Sequence, residues 1–397
     1  MELVINPDRR VYTNVQDRLS KPIFVVGSPR SGTSILAWCL GHHPNIFPVP
    51  ESNWMGDFAV NVGISYQIGA ARGIFSILSA MGISRDEFFS HIGCSINSLV
   101  LKHRSDLDRT RLITAVQRLL KEQGLYLGTV TGKLDAATSE ALRQYGIADD
   151  ANGLLYSELV DSLRTAASDS EYKTRWVDQT PEYSFHICGL RKLFPEALFI
   201  HIVRDVAAVV RSMLNFHRIA GTHLVASEQE AYQYWLRTVR ACLKAEQAYG
   251  PRAIYRLRYD TLIDNPEAAI RSLLDFVVEP YSAKCLEPLA ERINSSNVPP
   301  DFEPNDPATD PAIIEEARRL SAEIEQTPQP SESSAAAAGE LEMAFSNRAK
   351  DFATLDSAYR TEKSRLESTI AELRQQIEDL GNQLAQTKDH AVSDQLG

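Results

Sequence analysis

The chain lacks a surplus of positive charge: among its 397 residues, 52 Asp and Glu outnumber 41 Lys and Arg, for a formal net charge of -11. Non-specific nucleic-acid binding needs a basic surface, so no nucleic-acid partner is expected, and any anionic ligand must be held by local positive charge. Cysteine is sparse and unpatterned. Cys39, Cys94, Cys188, Cys242 and Cys285 form no C-x-x-C pair and no metal-ligand spacing, so no metal site is expected, and the set reads as reduced thiols of a cytoplasmic protein. Long apolar runs are missing as well: no stretch approaches the ~18 residues of a membrane span. The opening Met-Glu-Leu-Val-Ile-Asn-Pro-Asp has no basic or apolar leader region, so no secretory signal is expected.

What is present is a nucleotide-type loop. Residues 22 to 34 read Pro-Ile-Phe-Val-Val-Gly-Ser-Pro-Arg-Ser-Gly-Thr-Ser. The β-prone run Ile23 to Val26 feeds a glycine turn ending at Gly32, and the apolar run Ile35 to Leu40 continues as a helix. Backbone N–H groups of such a loop, backed by a helix dipole, attract an anion. A Walker A loop would place lysine where Thr33 stands. Arg30 carries the loop's one positive charge, so the loop reads as a phosphate site that no longer serves NTP chemistry, and a kinase reading is disfavoured.

Farther along, Ala197 to Val203 reads as a strand ending at Arg204-Asp205, followed by a helix over Val206 to Phe216. Ala253 to Tyr259 reads as a strand and Pro266 to Val277 as a helix. Strands alternating with helices imply right-handed crossovers and a parallel sheet, with ligands at the carboxyl ends of the strands. The loop, Arg204 and Tyr259 all sit at such ends and are expected to share one crevice. The fold class is therefore α/β, a P-loop-like parallel sheet flanked by helices.

Three segments carry a family resemblance: Phe24 to Ser34; Leu193-Phe-Pro-Glu-Ala-Leu-Phe-Ile-His-Ile-Val-Arg204-Asp-Val-Ala-Ala-Val-Val-Arg-Ser212-Met; and Tyr259-Asp-Thr-Leu-Ile-Asp-Asn-Pro266. In order and spacing they resemble sulfotransferases that use 3'-phosphoadenosine 5'-phosphosulfate (PAPS, leaving PAP), in the branch containing tyrosylprotein sulfotransferases and many bacterial enzymes. The resemblance implies that Arg30, Ser31, Gly32, Thr33 and Ser34 hold the phosphosulfate. It implies that Arg204 and Ser212 hold the 3'-phosphate, with Tyr259 in the third motif. A rigid guanidinium fork suits a phosphate better than lysine does. Glu51, after His42-His43-Pro44-Asn45, stands where the family places a catalytic glutamate, with His43 as the rival base. Arg30 would stabilise the departing phosphate without a metal. Asn53 and Gln179 stand where the family often has basic residues, which bears on acceptor binding more than on the donor site. The acceptor is expected to be a hydroxyl on a protein, a glycan or a small molecule. Asn294-Ser295-Ser296-Asn297 resembles the family's closing loop or is an ordinary turn.

Residues 107–166 interrupt this pattern. Val116 to Tyr145, punctuated by Gly124, Gly128 and Gly132, resembles the small three-helix peptidoglycan-binding-type module, with Asp135 and Thr138 at a helix cap and a third helix over Leu154 to Leu163. It is either an acceptor- or partner-recognition module or a structural insert. The expected division is 1–106 and 167–300 for the sulfotransferase-like parts, 107–166 for the insert, 301–339 for a Pro/Ala/Ser-rich linker with a short helix, and 340–390 for a coiled coil. In that last part Phe345, Phe352, Tyr359, Leu366, Leu373 and Leu380 recur at steps of seven, with Ile370, Ile377 and Leu384 four residues after the last three. The pattern is that of a coiled coil joining a homo-oligomer, or of a lone solvated helix. The reading of another class is a non-catalytic scaffold that keeps a nucleotide fold and works through its insert and coiled coil.

Overall fold

The computed structural model describes residues 21–133, 135–147, 173–290, 298–299 and 301–395. The third insert helix over Leu154 to Leu163 and the Asn294 to Asn297 loop lie outside the described residues. Five parallel strands form one sheet: β1 (Ile23–Val26), β2 (Ile46–Pro48), β3 (Arg175–Asp178), β4 (Leu198–Val203) and β5 (Ile254–Arg258), in the order β2-β3-β1-β4-β5. Central β1 pairs Phe24 with Asp178 of β3 on one side and with Phe199 of β4 on the other.

The longer helices are α1 (Thr33–Gly41), α2 (Met55–Ala70), α3 (Arg85–Lys102), α4 (Arg104–Glu122), α5 (Ala136–Ile147), α6 (Ile187–Leu193), α7 (Val206–Leu214), α8 (Glu228–Tyr249), α9 (Pro266–Phe276), α10 (Pro311–Gln326) and α11 (Ala335–Gln395). Every β1 residue is buried, as in a parallel sheet covered on both faces. Ile23 and Val25 pack with Leu36 and Leu40 of α1 and with Ile270 and Leu273 of α9. Phe24 and Val26 face the other way, against Val60 of α2, Leu190 of α6 and Ala245 of α8. This strict alternation follows from the two-residue period of a strand. It also leaves the strand ends, rather than their faces, free for chemistry.

A buried polar triad ties the sheet to α8. His201 of β4 meets Glu246 of α8 at 2.5 Å, and Arg256 of β5 donates through Nε to the same carboxylate at 3.0 Å. Burial alone lowers the His201 pKa, but Cys242 and Glu246 outweigh it and push the imidazole up to about 10. Its stabilising charge is complete below the ordinary imidazole range and is lost as pH rises through that raised value.

The inserted segment builds a small core from Val116, Leu120, Tyr126, Ala141 and Leu142. Gln117, fully buried, ties its loop together. Its Oε1 accepts from the N–H groups of Thr131 and Gly132, each at 2.9 Å, and its Nε2 donates to Thr138 Oγ1 at 2.8 Å. Asp135 caps α5 by accepting from the Thr138 N–H at 2.7 Å.

The stretch whose composition reads as a linker is bound to the domain. Gln329 lies along the open edge of β5, accepting from Arg256 N at 3.0 Å and donating to the Ile254 carbonyl at 2.6 Å. That contact occupies backbone groups that an edge strand otherwise presents to other chains. Ala317 and Ile324 of α10 bury against α7 and α8. Helix α11 already begins at Ala335, and its Phe345 and Ala349 lie in the main core. Composition registers the Pro and Ala content but carries no information about the surface these residues meet.

Candidate functional site

Each of the five strands delivers a residue to one end of the sheet. After β1, Gly27 turns with φ 145°, and a Cβ there would lie 2.4 Å from the Ile202 carbonyl of β4. Its N–H donates to Ser184 Oγ at 2.9 Å, which pins the loop to the turn following β3. Ser31 closes the loop by donating through its N–H and Oγ to the Ser28 carbonyl, at 3.1 and 2.6 Å. Arg30 has φ 70°, a left-handed conformation that costs a side-chain-bearing residue about 1 kcal/mol. Gly32, at φ 105°, lies so close to the Tyr259 ring that a Cβ would meet it at 2.5 Å. The missing side chain at Gly32 is thus what lets the β5 end close on the loop.

The positive charge is concentrated here. Arg30 Nε donates to Ser212 Oγ at 3.2 Å, and its guanidinium lies 5.2 Å from the Phe216 ring centroid. Arg204, at the end of β4, donates to the Arg30 carbonyl at 3.2 Å and stacks 4.3 Å over the Tyr259 ring. The structure therefore brings Arg30, Arg204, Ser212 and Tyr259 into one cluster. Burial and the neighbouring Arg204 hold the Arg30 pKa below its usual value, with Glu51 partly offsetting them. Two guanidinium groups held in mutual repulsion favour an anion between them. Ser31 and Thr33 are buried at the loop's turn into α1, and Ser34 is exposed on its first turn.

Glu51 follows β2 and is held by a network with no local signature in the sequence. The N–H of Ser52 donates to Thr180 Oγ1 at 3.0 Å, and Thr180 donates through N–H and hydroxyl to Asp178 Oδ1, at 2.8 and 2.7 Å. Tyr183 accepts from the Met55 N–H at 3.0 Å and its hydroxyl also meets Ser52 Oγ. These bonds hold the backbone that follows Glu51, whose own side chain is exposed. Desolvation, then Glu182 and Asp178, raise its pKa, while Arg30 lowers it. Asn53 has φ 56°, which asparagine tolerates better than most side chains, so this turn gives Asn53 a conformational role. His43, the rival base, is 1% exposed and both ring nitrogens are engaged, Nε2 with the Pro280 carbonyl at 2.9 Å and Nδ1 with the Asn45 N–H at 3.1 Å. It acts as a strut between α1 and the segment after α9.

Sequence reading missed Asp178, Thr180, Tyr183 and Ser184. The visible trace of them was Gln179-Thr180-Pro181, in which Thr180 proves to be the hydrogen-bonding centre. Asp178 is fully buried and its Oδ2 meets no partner among the described residues. Burial raises its pKa against the opposing bonds from Ser52 and Thr180.

Among the described residues no helix is long and apolar enough to cross a membrane. Residues 102–283 match the model of the Sulfotransferase family, a match that runs through the inserted segment. The chain is 32% identical over 102 residues to omega-hydroxy-beta-dihydromenaquinone-9 sulfotransferase Stf3 of Mycobacterium bovis, covering 24% of this chain and 26% of that protein. It is 25% identical over 138 residues to a putative protein-tyrosine sulfotransferase of Caenorhabditis briggsae, covering 35% of this chain and 47% of that one. The chain thus spans a quarter to a half of the length of these curated relatives. Among solved structures it is similar to the sulfotransferase domain from the Synechococcus PCC 7002 olefin synthase, with a TM-score of 0.38 and 18% identity over 78% of this chain and 97% of that one.

Proposed function

We propose that this chain, a member of the sulfotransferase family, moves a sulfuryl group from PAPS to an acceptor hydroxyl. The observation that carries this reading is the convergence of Arg30, Arg204, Ser212 and Tyr259 on one glycine loop, with Glu51 near enough for its charge to act on Arg30. PAPS presents two anionic clusters, and the site offers two guanidinium groups from different strands. The loop and Arg30 hold the phosphosulfate end; Arg204 and Ser212 hold the 3'-phosphate. In the transfer, the acceptor oxygen bonds to sulfur, the bond from sulfur to the bridging oxygen breaks, and PAP leaves with the electron pair. Arg30 stabilises the charge that develops on the departing phosphate. The acceptor proton passes to Glu51, whose raised pKa brings it nearer to that of a working base.

Calorimetric titration with PAP, paired with transfer of labelled sulfate from PAPS to a panel of phenols and sugars, tests the reading. Micromolar PAP binding and acceptor-dependent label transfer are expected. Absence of PAP binding by the folded chain overturns it, and binding without transfer to any acceptor favours a nucleotide-fold scaffold.

The apolar seam of α11 supports the companion proposal that the protein self-associates. Leu366, Ile370, Leu373, Ile377 and Leu380 are 48 to 70% exposed, an apolar stripe unsuited to a solvated single helix. Isoleucine alternating with leucine in this seam matches the side-chain preference of parallel two-stranded coiled coils. Sedimentation of the full chain checks it, and a monomer mass at micromolar concentration rules it out.

A further inference from the structure

Beside Glu51 lies a cavity of about 360 Å³ whose lining includes Asn53, Asp57, Glu182, Phe185, His186 and Arg348. It adjoins the Glu51 segment through Asn53 and Tyr183, which line it; the Tyr183 hydroxyl meets Ser52 Oγ and accepts from the Met55 N–H. Its wall is built partly by the C-terminal helix: Arg348 of α11 projects to it and pairs with Asp57 at 3.6 Å. His186 is neutral in this setting, because burial and the Arg348 charge lower its pKa to about 4. Asp57 is thus balanced by Arg348, whereas Glu182 forms no ion pair among the described residues. Among the described residues Glu182 meets the neutral Tyr234 hydroxyl, at 3.0 Å. The Tyr234 ring stacks on Phe185, centroids 6.4 Å apart and 11° from parallel, with Arg237 lying 5.8 Å from the Tyr234 centroid. Phe185 therefore presents an exposed aromatic edge next to a carboxylate.

Resting on the sulfotransferase reading, we propose that this cavity binds the acceptor and selects one carrying a cationic amino group on the far side of its hydroxyl. An ammonium at Glu182 gains a carboxylate and an aromatic surface together, an arrangement that favours cations. An acidic acceptor meets the charge of Glu182, with Glu51 beside the cavity, and is disfavoured. The specificity-determining residue is Glu182; Arg348 sets the preference indirectly by neutralising Asp57.

Three phenols of similar size separate the charge states: tyramine, 4-ethylphenol and 4-hydroxyphenylacetate. Calorimetric titration of the full chain with each, without donor, is expected to rank tyramine first and 4-hydroxyphenylacetate last, with tyramine about fivefold to tenfold tighter than the neutral phenol. Glu182→Gln is expected to erase the gap and Glu182→Lys to invert the order. Equal affinities in the wild type, tighter binding of the anion, absence of tyramine binding, or a gap that survives both variants overturns the proposal. PAP titration of the same samples keeps the two readings apart. PAP binding without a tyramine preference ends the acceptor assignment alone, and tyramine selectivity without PAP binding ends the donor reading.

Discussion

Arg30→Ala is expected to weaken PAP binding by about 100-fold or more, the loss of roughly two charge-assisted hydrogen bonds. The side chain is committed to this cluster: it donates to Ser212, lies over Phe216, and its carbonyl receives Arg204. Removing it deletes one of two guanidinium groups and frees Ser212 from its donor. The backbone is not a second variable in that variant, because position 30 has φ 70° and alanine keeps the cost that arginine already bears. Arg30→Gly removes the guanidinium and relieves that backbone cost as well, because glycine adopts the conformation freely, so a difference between the two variants reports the loop geometry. Equal loss of affinity in both variants, measured by calorimetry beside thermal melts, assigns the effect to the guanidinium. Recovery of near wild-type affinity in the glycine variant would mean that loop geometry matters and the charge does not.

The cluster around the glycine loop was legible in the sequence because it is local. Gly27, Arg30 and Gly32 fall within one turn between a strand and a helix, and Arg204 and Ser212 share one strand-to-helix unit. The expected strands and helices around them match the observed ones to within two residues at either end; β4 is Leu198–Val203 against an expected Ala197 to Val203. Strands β2 and β3 were not read. Ile46–Pro48 is three residues long, and β3 begins with Arg175, whose charge hides the apolar run. That arginine is buried because it pairs with Glu279 at 3.1 Å and donates to backbone carbonyls at Lys21 and Val277, partners visible only in three dimensions. The network beside Glu51 was hidden for the same reason, since Ser52 and Thr180 are 128 positions apart and Gly27 and Ser184 are 157 apart. The heptad pattern was legible but ambiguous: Phe345 belongs to it and is 8% exposed in the domain core, whereas Leu373, four heptads on, is 52% exposed. A seven-residue period reports a stripe on a helix and leaves open what covers each part of it.

Glu51→Gln is expected to lower kcat by a factor of about 100 to 10,000, the range for removing a positioned general base, while the PAP dissociation constant stays within about twofold. The amide matches the carboxylate in size, and the backbone bonds that hold the segment come from Ser52 and Met55, so the glutamine stays in place. Glutamine lacks a basic oxygen able to accept the acceptor proton, so donor binding and chemistry separate. The pH profile adds a second readout. Glu51 acts only when ionised, and desolvation together with the Glu182 and Asp178 charges raises its pKa. Activity therefore falls on the acid side at a higher pH than an ordinary glutamate would give. Asp178→Asn removes one of those charges without touching Glu51, so the acid limb should move toward lower pH. A structural role for Asp178 alone would lower activity at every pH and leave the limb where it is. If Glu51→Gln retains a tenth or more of the wild-type kcat, or if the acid limb persists unchanged in that variant, the proton goes elsewhere and Glu51 is a spectator. His43 is a poor replacement in that event, because its ring nitrogens are both engaged with backbone, which turns attention to the acceptor's own ionisation or to Glu182 across the cavity.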